Sequence, residues 1–367
     1  MPMDFDTKRW DRAKRNYRLW WEGRLGRPLL QMDVCGRNPG RPEPNAPNHE
    51  FTSYHDLSVP ADAIVDRWDY DLSCRRFIAD GFPSVWPNFG PGVLAAFMGA
   101  QLEHGVPPAE TVWFHPAREQ DIRDIHFAYD PDSVWARRIK DILRAARQRW
   151  NGLVQVSMTD LGGNLDVLAT FRPGDKLLLD LYDHPDEVKR LTWEAHAAWW
   201  QAFRDLDAVI RPVNPGYTAW TPILSEKPYY ILQCDFAYML GPDMFDEFVK
   251  PELAANCRKL GNAFYHLDGI GQLPHLDSLL SIPELKGVQW VPGAGQPDTP
   301  EWPAVYRKIH AAGKRIQLWL TWKDGRHILE ILAGQIGALD GVIVIGGAGP
   351  EQADEVTRLC ARYGALD

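Results

Sequence analysis

A chain of 367 residues, 45% hydrophobic and 24% charged, is long enough for one large domain or two ordinary ones and has globular chemistry. Its net charge of −9, without a lysine or arginine block, argues against nucleic acid and anionic membrane as partners, because both select positive surfaces. Five scattered cysteines (Cys35, Cys74, Cys234, Cys257, Cys360) with no CxxC pair argue against a disulfide framework or a zinc knuckle. With no apolar signal core and no run of membrane-spanning length, the expected location is the cytoplasm.

In chain order, apolar residues at helical spacing (Trp10, Ala13, Tyr17, Trp20, Trp21) predict a helix over 7–24. RPLLQMDV (27–34) reads as a strand, and the Pro-, Gly- and Asn-rich 36–51 as a long loop. Residues 55–80 read as helical, 82–89 as extended, 91–104 as helical, and the stretch to about 130 as irregular. A strong helix follows over 131–150, with Asp132 or Ser133 as its N-cap.

From there strands and helices alternate. Strands are expected at 153–161, 216–220, 229–236, 262–269, 286–293, 314–322 and 341–347. Helices are expected at 185–206, 242–261 (interrupted by Pro251), 273–282, 299–313, 325–337 and 350–364. This rhythm implies parallel βαβ units. Eight or nine strands favour an α/β fold with one (β/α)8 TIM barrel over 1–367, in which 1–80 forms an N-terminal extension and long loop. An open doubly wound sheet is the runner-up, but no GxGxxG follows an early strand. GGAGP (346–350) suits either an anion-holding turn or a plain one.

Barrel chemistry sits at the C-terminal ends of the strands. Those positions hold Asp160, Asn164 and Asp166, then Trp220, then Gln233 and Asp235, then His266 and Asp268, then Gln289 and Trp290, then Trp319, Trp322 and Asp324. In an extended chain, residues two apart share a face, so His266 and Asp268 in FYHLDGIG form a pair. Asp160, Asp235, His266 and Asp268 are the catalytic candidates, since carboxylates crowded around one cavity raise a pKa and make a general acid. Asn164, Asp166, Trp220, Gln233, Gln289, Trp290, Trp319 and Trp322 are candidates for substrate contact. The bland readings are turn capping for Asp160 and Asp166, a core histidine for His266, and packing for Cys234 and most of the 16 tryptophans.

From about residue 150 onward the chain resembles the uroporphyrinogen decarboxylase superfamily, on the stretches MFDEFVKPEL, FYHLDG, GVQWVPGAG and GVIVIGGAGPEQADEV, with RPLLQMDVCGRNPGRP similar to that family's arginine-bearing loop. The resemblance implies a (β/α)8 barrel and either decarboxylation or methyl transfer linked to a corrinoid or folate. Departures disfavour the decarboxylase. Arg37 fits the second loop arginine, but Asp33 stands at the first, Asn88 stands where an aspartate belongs, and the last strand's loop lacks its histidine; by their places in the family's pattern Arg37 and Asn88 remain expected substrate contacts. In the superfamily's zinc methyltransferases a His-x-Cys pair and a later cysteine hold the metal. Here His266 matches, Asp268 replaces the first cysteine, and Ala348 lies near the second. No metal is therefore expected (His266 and Asp268 would be its ligands if one bound), and zinc-independent methyl transfer is the leading reading.

The resemblance makes tetrahydrofolate or cobalamin the candidate cosubstrate, a small organic molecule the substrate, a corrinoid protein a candidate partner, and a homodimer a candidate assembly. A second reading, from the residues alone, is a glycoside-active enzyme with a tryptophan-rich sugar site and Asp160, Asp235 and Asp268 as candidate carboxylates. A third is a non-catalytic binder on an enzyme fold.

Overall fold

The computed structural model describes residues 3–106 and 110–366. Its strands are β1 (Leu29–Val34), β2 (Arg76–Ala79), β3 (Ser84–Val85), β4 (Gln101–His104), β5 (Val112–His115), β6 (Gln155–Val156), β7 (Tyr229–Leu232), β8 (Asn262–Asp268), β9 (Gly287–Val291), β10 (Arg315–Trp319), β11 (Trp322–Lys323), β12 (Arg326–His327) and β13 (Val342–Ala348). Seven form the central sheet, in the order β2-β1-β13-β10-β9-β8-β7. All neighbours in it run parallel except β2, which is antiparallel to β1. A separate parallel ladder pairs β3 with β6. The fold is thus mixed α/β with a parallel central sheet flanked by helices. The β1–β13 pairing joins the first and last strands, but among the described residues no continuous ladder links β3–β6 to the central sheet, so the expected closed barrel is not formed by strand pairing.

The helices obey local rules. Asp6 caps the helix Thr7–Trp21 by accepting the Arg9 N–H, and Ser133 rather than Asp132 caps Val134–Trp150 through the Ala136 N–H. Pro251 sits in the first turn of the helix Lys250–Leu260, where no intrahelical N–H is needed; a π turn, Phe245–Val249, precedes it. Residues 1–80 are more than an extension: they supply β1 and β2 to the sheet, and the helix 7–21 buries Trp10, Tyr17 and Trp20. Arg315, at the start of β10, donates to the carbonyls of Trp20 and Trp21 and lies over both indoles.

Three expected elements differ. Residues 91–104 hold only a short helix, Leu94–Phe97, and then β4, which pairs with β5 in a largely exposed hairpin. Around 216–220 only an isolated bridge, Tyr217 to Ser225, forms. The helix expected over 55–80 ends at Ser73, and β2 follows. Each of these strands is too short to establish a period-2 signal.

No helix among the described residues is long and apolar enough to cross a membrane. All five cysteines are unpaired thiols.

Candidate functional site

Parallel register decides which side chains meet. His266 on β8 pairs with Gln289 on β9, and Gln289 pairs with Gln317 on β10, so the three face the same way. His266 Nδ1 lies 2.5 Å from Gln289 Oε1, and its Nε2 lies 3.8 Å from Asp268 Oδ2. The Trp220 indole packs edge-on to the imidazole at 5.0 Å and 87°. Just past β7, Asp235 joins them: one polar atom each from Asp235, His266 and Asp268 lies within 4.8 Å of the others. The pair inferred from FYHLDGIG is therefore part of a triad spanning two adjacent strand ends.

Two further carboxylates lie behind it. Asp160 is buried, with its Oδ1 accepting both the Gly162 N–H at 2.8 Å and the Tyr230 hydroxyl at 3.2 Å. Burial nevertheless pushes its pKa up to about 6, against the pull of those two donors. Asp166 accepts the backbone N–H groups of Asp235 (2.9 Å) and Phe236 (2.8 Å), so it fixes the turn that carries Asp235. Burial and then the neighbouring Asp235 raise its pKa. Asp235 is reached by solvent but lies in a recess walled by protein. Desolvation raises its pKa, with His266 opposing and Asp268 adding. Perturbed carboxylates gathered at strand ends are what a reacting site requires.

The interior beside the triad is polar and incompletely partnered. Gln317 is fully buried, and neither end of its amide has a hydrogen-bond partner among the described residues. The same holds for Gln289 Nε2 and for the indole N–H groups of Trp86 and Trp220. Buried donors left open in this way call for a ligand or water.

Two cavities open near the strand ends. One of about 590 Å3 is lined by Gln31, Asp33, Trp68, Arg75, Phe77 and Trp319, among others. Arg75 pairs with Asp33 there at 2.5 Å. The other, of about 370 Å3, is lined by Trp113, Phe114, Asp166, Gln233, Asp235 and Met239, among others. Both volumes are in the range of small-molecule sites.

The structure thus brings together Asp160, Asp166, Trp220, Gln233, Asp235, His266, Asp268 and Gln289, and puts Trp319 in the larger cavity. It places five expected contacts elsewhere. Arg37 Nη1 donates to the Ser73 carbonyl at 2.7 Å, securing the end of the helix 61–73. Asn88 braces its own loop through the Glu50 carbonyl and the Gly90 N–H. Asn164 turns away toward the Val249 carbonyl and Glu252. Trp290 alternates to the opposite face from Gln289 and packs on Trp302. Trp322 belongs to the β11–β12 hairpin and lines a surface cleft with His327 and Arg362.

Sequence reasoning missed Tyr230, Trp86, Gln317 and Arg75. Tyr230 and Gln317 sit in apolar strands where no pattern shows which side is polar. Arg75 follows directly on a helix and reads as its continuation.

The triad offers one imidazole and two carboxylates, a set that suits a divalent cation of hard or borderline character. It does not suit zinc that binds a thiol, which favours sulfur ligands, because Cys234 beside Asp235 is buried and faces the packing. Asp235 supplies the third ligand that His266 and Asp268 lack by themselves.

No protein family matches the chain, and no curated protein matches it by sequence. Among solved structures it is similar to a methyltransferase from Methanosarcina mazei, with a TM-score of 0.58 and 13% identity over 92% of this chain and 94% of that one. This likeness shows a shared fold. Macrophomate synthase also matches, at 13% identity over 62% of this chain and 72% of that one, but with a TM-score of 0.24 that carries no argument.

Proposed function

We propose that this chain is a (β/α)8-type enzyme of the uroporphyrinogen decarboxylase-like superfamily that transfers a methyl group to or from a small organic substrate. The observation that carries the reading is the Asp235–His266–Asp268 triad at the ends of adjacent parallel strands, in a chain whose fold follows a methyltransferase over nearly its whole length. In this reading the triad moves the proton of the methyl acceptor. His266, oriented by Gln289 and Trp220, is the base, and the carboxylates of Asp235 and Asp268 set its field. The polar interior and the cavities hold the reactants in line. Tetrahydrofolate or a cobalamin would supply the methyl carrier. The 590 Å3 cavity has room for a folate ring system.

A thermal-shift titration with tetrahydrofolate, a cobalamin, a porphyrin and a panel of glycosides tests this, since a ligand that binds only the folded state raises its melting temperature. Stabilisation by folate or cobalamin supports methyl transfer. Stabilisation by glycosides alone overturns it in favour of carboxylate chemistry, for which the close approach of Asp235 and Asp268 fits a retaining geometry.

A further inference from the structure

The 370 Å3 cavity has a composition of its own. Its walls include Val112, Trp113, Phe114, Val167, Phe236 and Met239, and its polar groups at the β7 end are Asp166, Gln233 and Asp235. Among the described residues, no lysine, arginine or histidine lines it. The carboxylate oxygens of Asp166 are each engaged by a backbone N–H. Those of Asp235 make no hydrogen bond or close ion pair among the described residues, and the nearest basic side chain, His266, is already set between Asp268 and Gln289. Gln233 adds a second polar group without a protein partner: it is 6% exposed, lines the cavity, and its side-chain amide bonds to no other described residue and keeps a small contact with solvent.

From these contacts we infer that this cavity binds an apolar amine as its ammonium ion, with the nitrogen at Asp235 and Gln233 and the hydrocarbon body between Trp113, Phe114 and Met239. An ammonium supplies three donors where the cavity offers a carboxylate and an amide oxygen that no described protein donor meets. Its positive charge offsets the repulsion between Asp166 and Asp235, which no other described residue lining the cavity neutralises. Aromatic walls favour a cation over a neutral ligand through the ring quadrupole. A carboxylate ligand would meet only like charge there. The inference rests on the methyl-transfer reading in one respect: once its proton has passed to His266, the amine nitrogen beside the triad has the lone pair to accept a methyl group, whose old bond breaks with its electron pair staying on the carrier.

Calorimetric titration of the whole protein, freed of metal with EDTA, with benzylamine, benzyl alcohol and benzoate at pH 7 tests the inference. Benzylamine should bind at least tenfold more tightly than either of the others. Its affinity should fall at least tenfold in Asp235→Asn and several-fold in Gln233→Leu. Trp113→Ala changes an exposed hairpin residue, should leave the fold intact, and should also weaken binding several-fold. Equal binding of benzyl alcohol, affinity unchanged across the variants, or amine binding that appears only when Zn2+ or Mg2+ is restored would each overturn the proposal. Because binding is read without turnover, failure of methyl transfer with folate or cobalamin leaves this result standing, and the converse also holds.

Discussion

Two acidic regions meet in this fold and are built in opposite ways. Under the long helix Pro185–Ile210, Glu252 is almost wholly buried yet saturated: it accepts from Asn164 Nδ2 at 2.7 Å, faces His196 Nδ1 at 2.8 Å, and also accepts from the Asn256 amide. His196 Nε2 meets Lys259 Nζ at 2.9 Å, and Asn256 accepts the Trp200 indole N–H. At the strand ends, Asp160 is buried with both of its donors on one oxygen, and Asp235, reached by solvent in its recess, takes no donor from the described residues. A buried charge that is fully met by its neighbours specifies packing; one left short is held in a state that a ligand or proton completes. The regions touch through Asn164, which opens the helix carrying Asp166 with a φ of +50°, a left-handed conformation that asparagine tolerates.

The contrast breaks most sharply at Glu252. Glu252→Leu should cost on the order of 3–5 kcal/mol, because His196 and two amides lose their common acceptor inside the fold and the Lys259 ammonium beside His196 loses the nearby negative charge. Urea unfolding measures this, and a loss under 1 kcal/mol would remove the distinction between the two regions.

Asp160→Asn should do the reverse. Both donors to Asp160 go to a single oxygen, which asparagine keeps, while the buried charge disappears. The sign follows from linkage. A folded pKa raised to about 6 means the native state holds the proton more strongly than the unfolded chain, so stability falls as pH rises from about 4 to about 6. Above that range Asp160→Asn should be more stable than the native protein by on the order of 2 kcal/mol, and below pH 4 the two should converge. Thermal melts across pH 4–8 read this directly. If Asp160 acts in catalysis, the stabilised variant will also be the inactive one.

Asp166→Asn should cost about 1–3 kcal/mol at pH 4, where the charge that burial and Asp235 disfavour is absent from both proteins, since its amide group must point a donor at one of the two backbone N–H groups that Asp166 now accepts, and the cost should shrink as pH rises. Denaturant unfolding gives the value. At the small end, Asp268→Asn should change stability by less than about 0.5 kcal/mol, its side chain being partly exposed, while abolishing turnover. A large loss of stability there would make the His266–Asp268 pair structural.

How much of this was legible depended on element length. Long helices such as 134–150 and strands such as β8 and β13 carry their period in the sequence, and the His266–Asp268 pair followed from the two-residue repeat. Two-residue strands such as β3 and β6 carry no period. The convergence of Asp235 with that pair depends on the β7–β8 register, which is a tertiary fact. Asn164 shows the limit of reading residue types: the amide expected at the site turns its back on it and serves Glu252. Arg75, read as helix, lies in the larger cavity because β2 folds back antiparallel on β1.

The grip of Arg315 on Trp20 and Trp21 has a consequence for the order of assembly. The contact joins residues 295 positions apart, and β1 likewise pairs with β13 at the far end of the chain. During synthesis, the first helix and first strand emerge long before their partners exist. Trp20 and Trp21 must wait, incompletely covered, until the segments they pack on, out to Arg315, have been made, a period when apolar surface invites aggregation. Closure-limited folding of this kind is slow, because distant contacts give no return until the loop between them is closed. Arg315 is therefore a latch that sets late in folding, and its loss should be felt first as poor yield of folded protein.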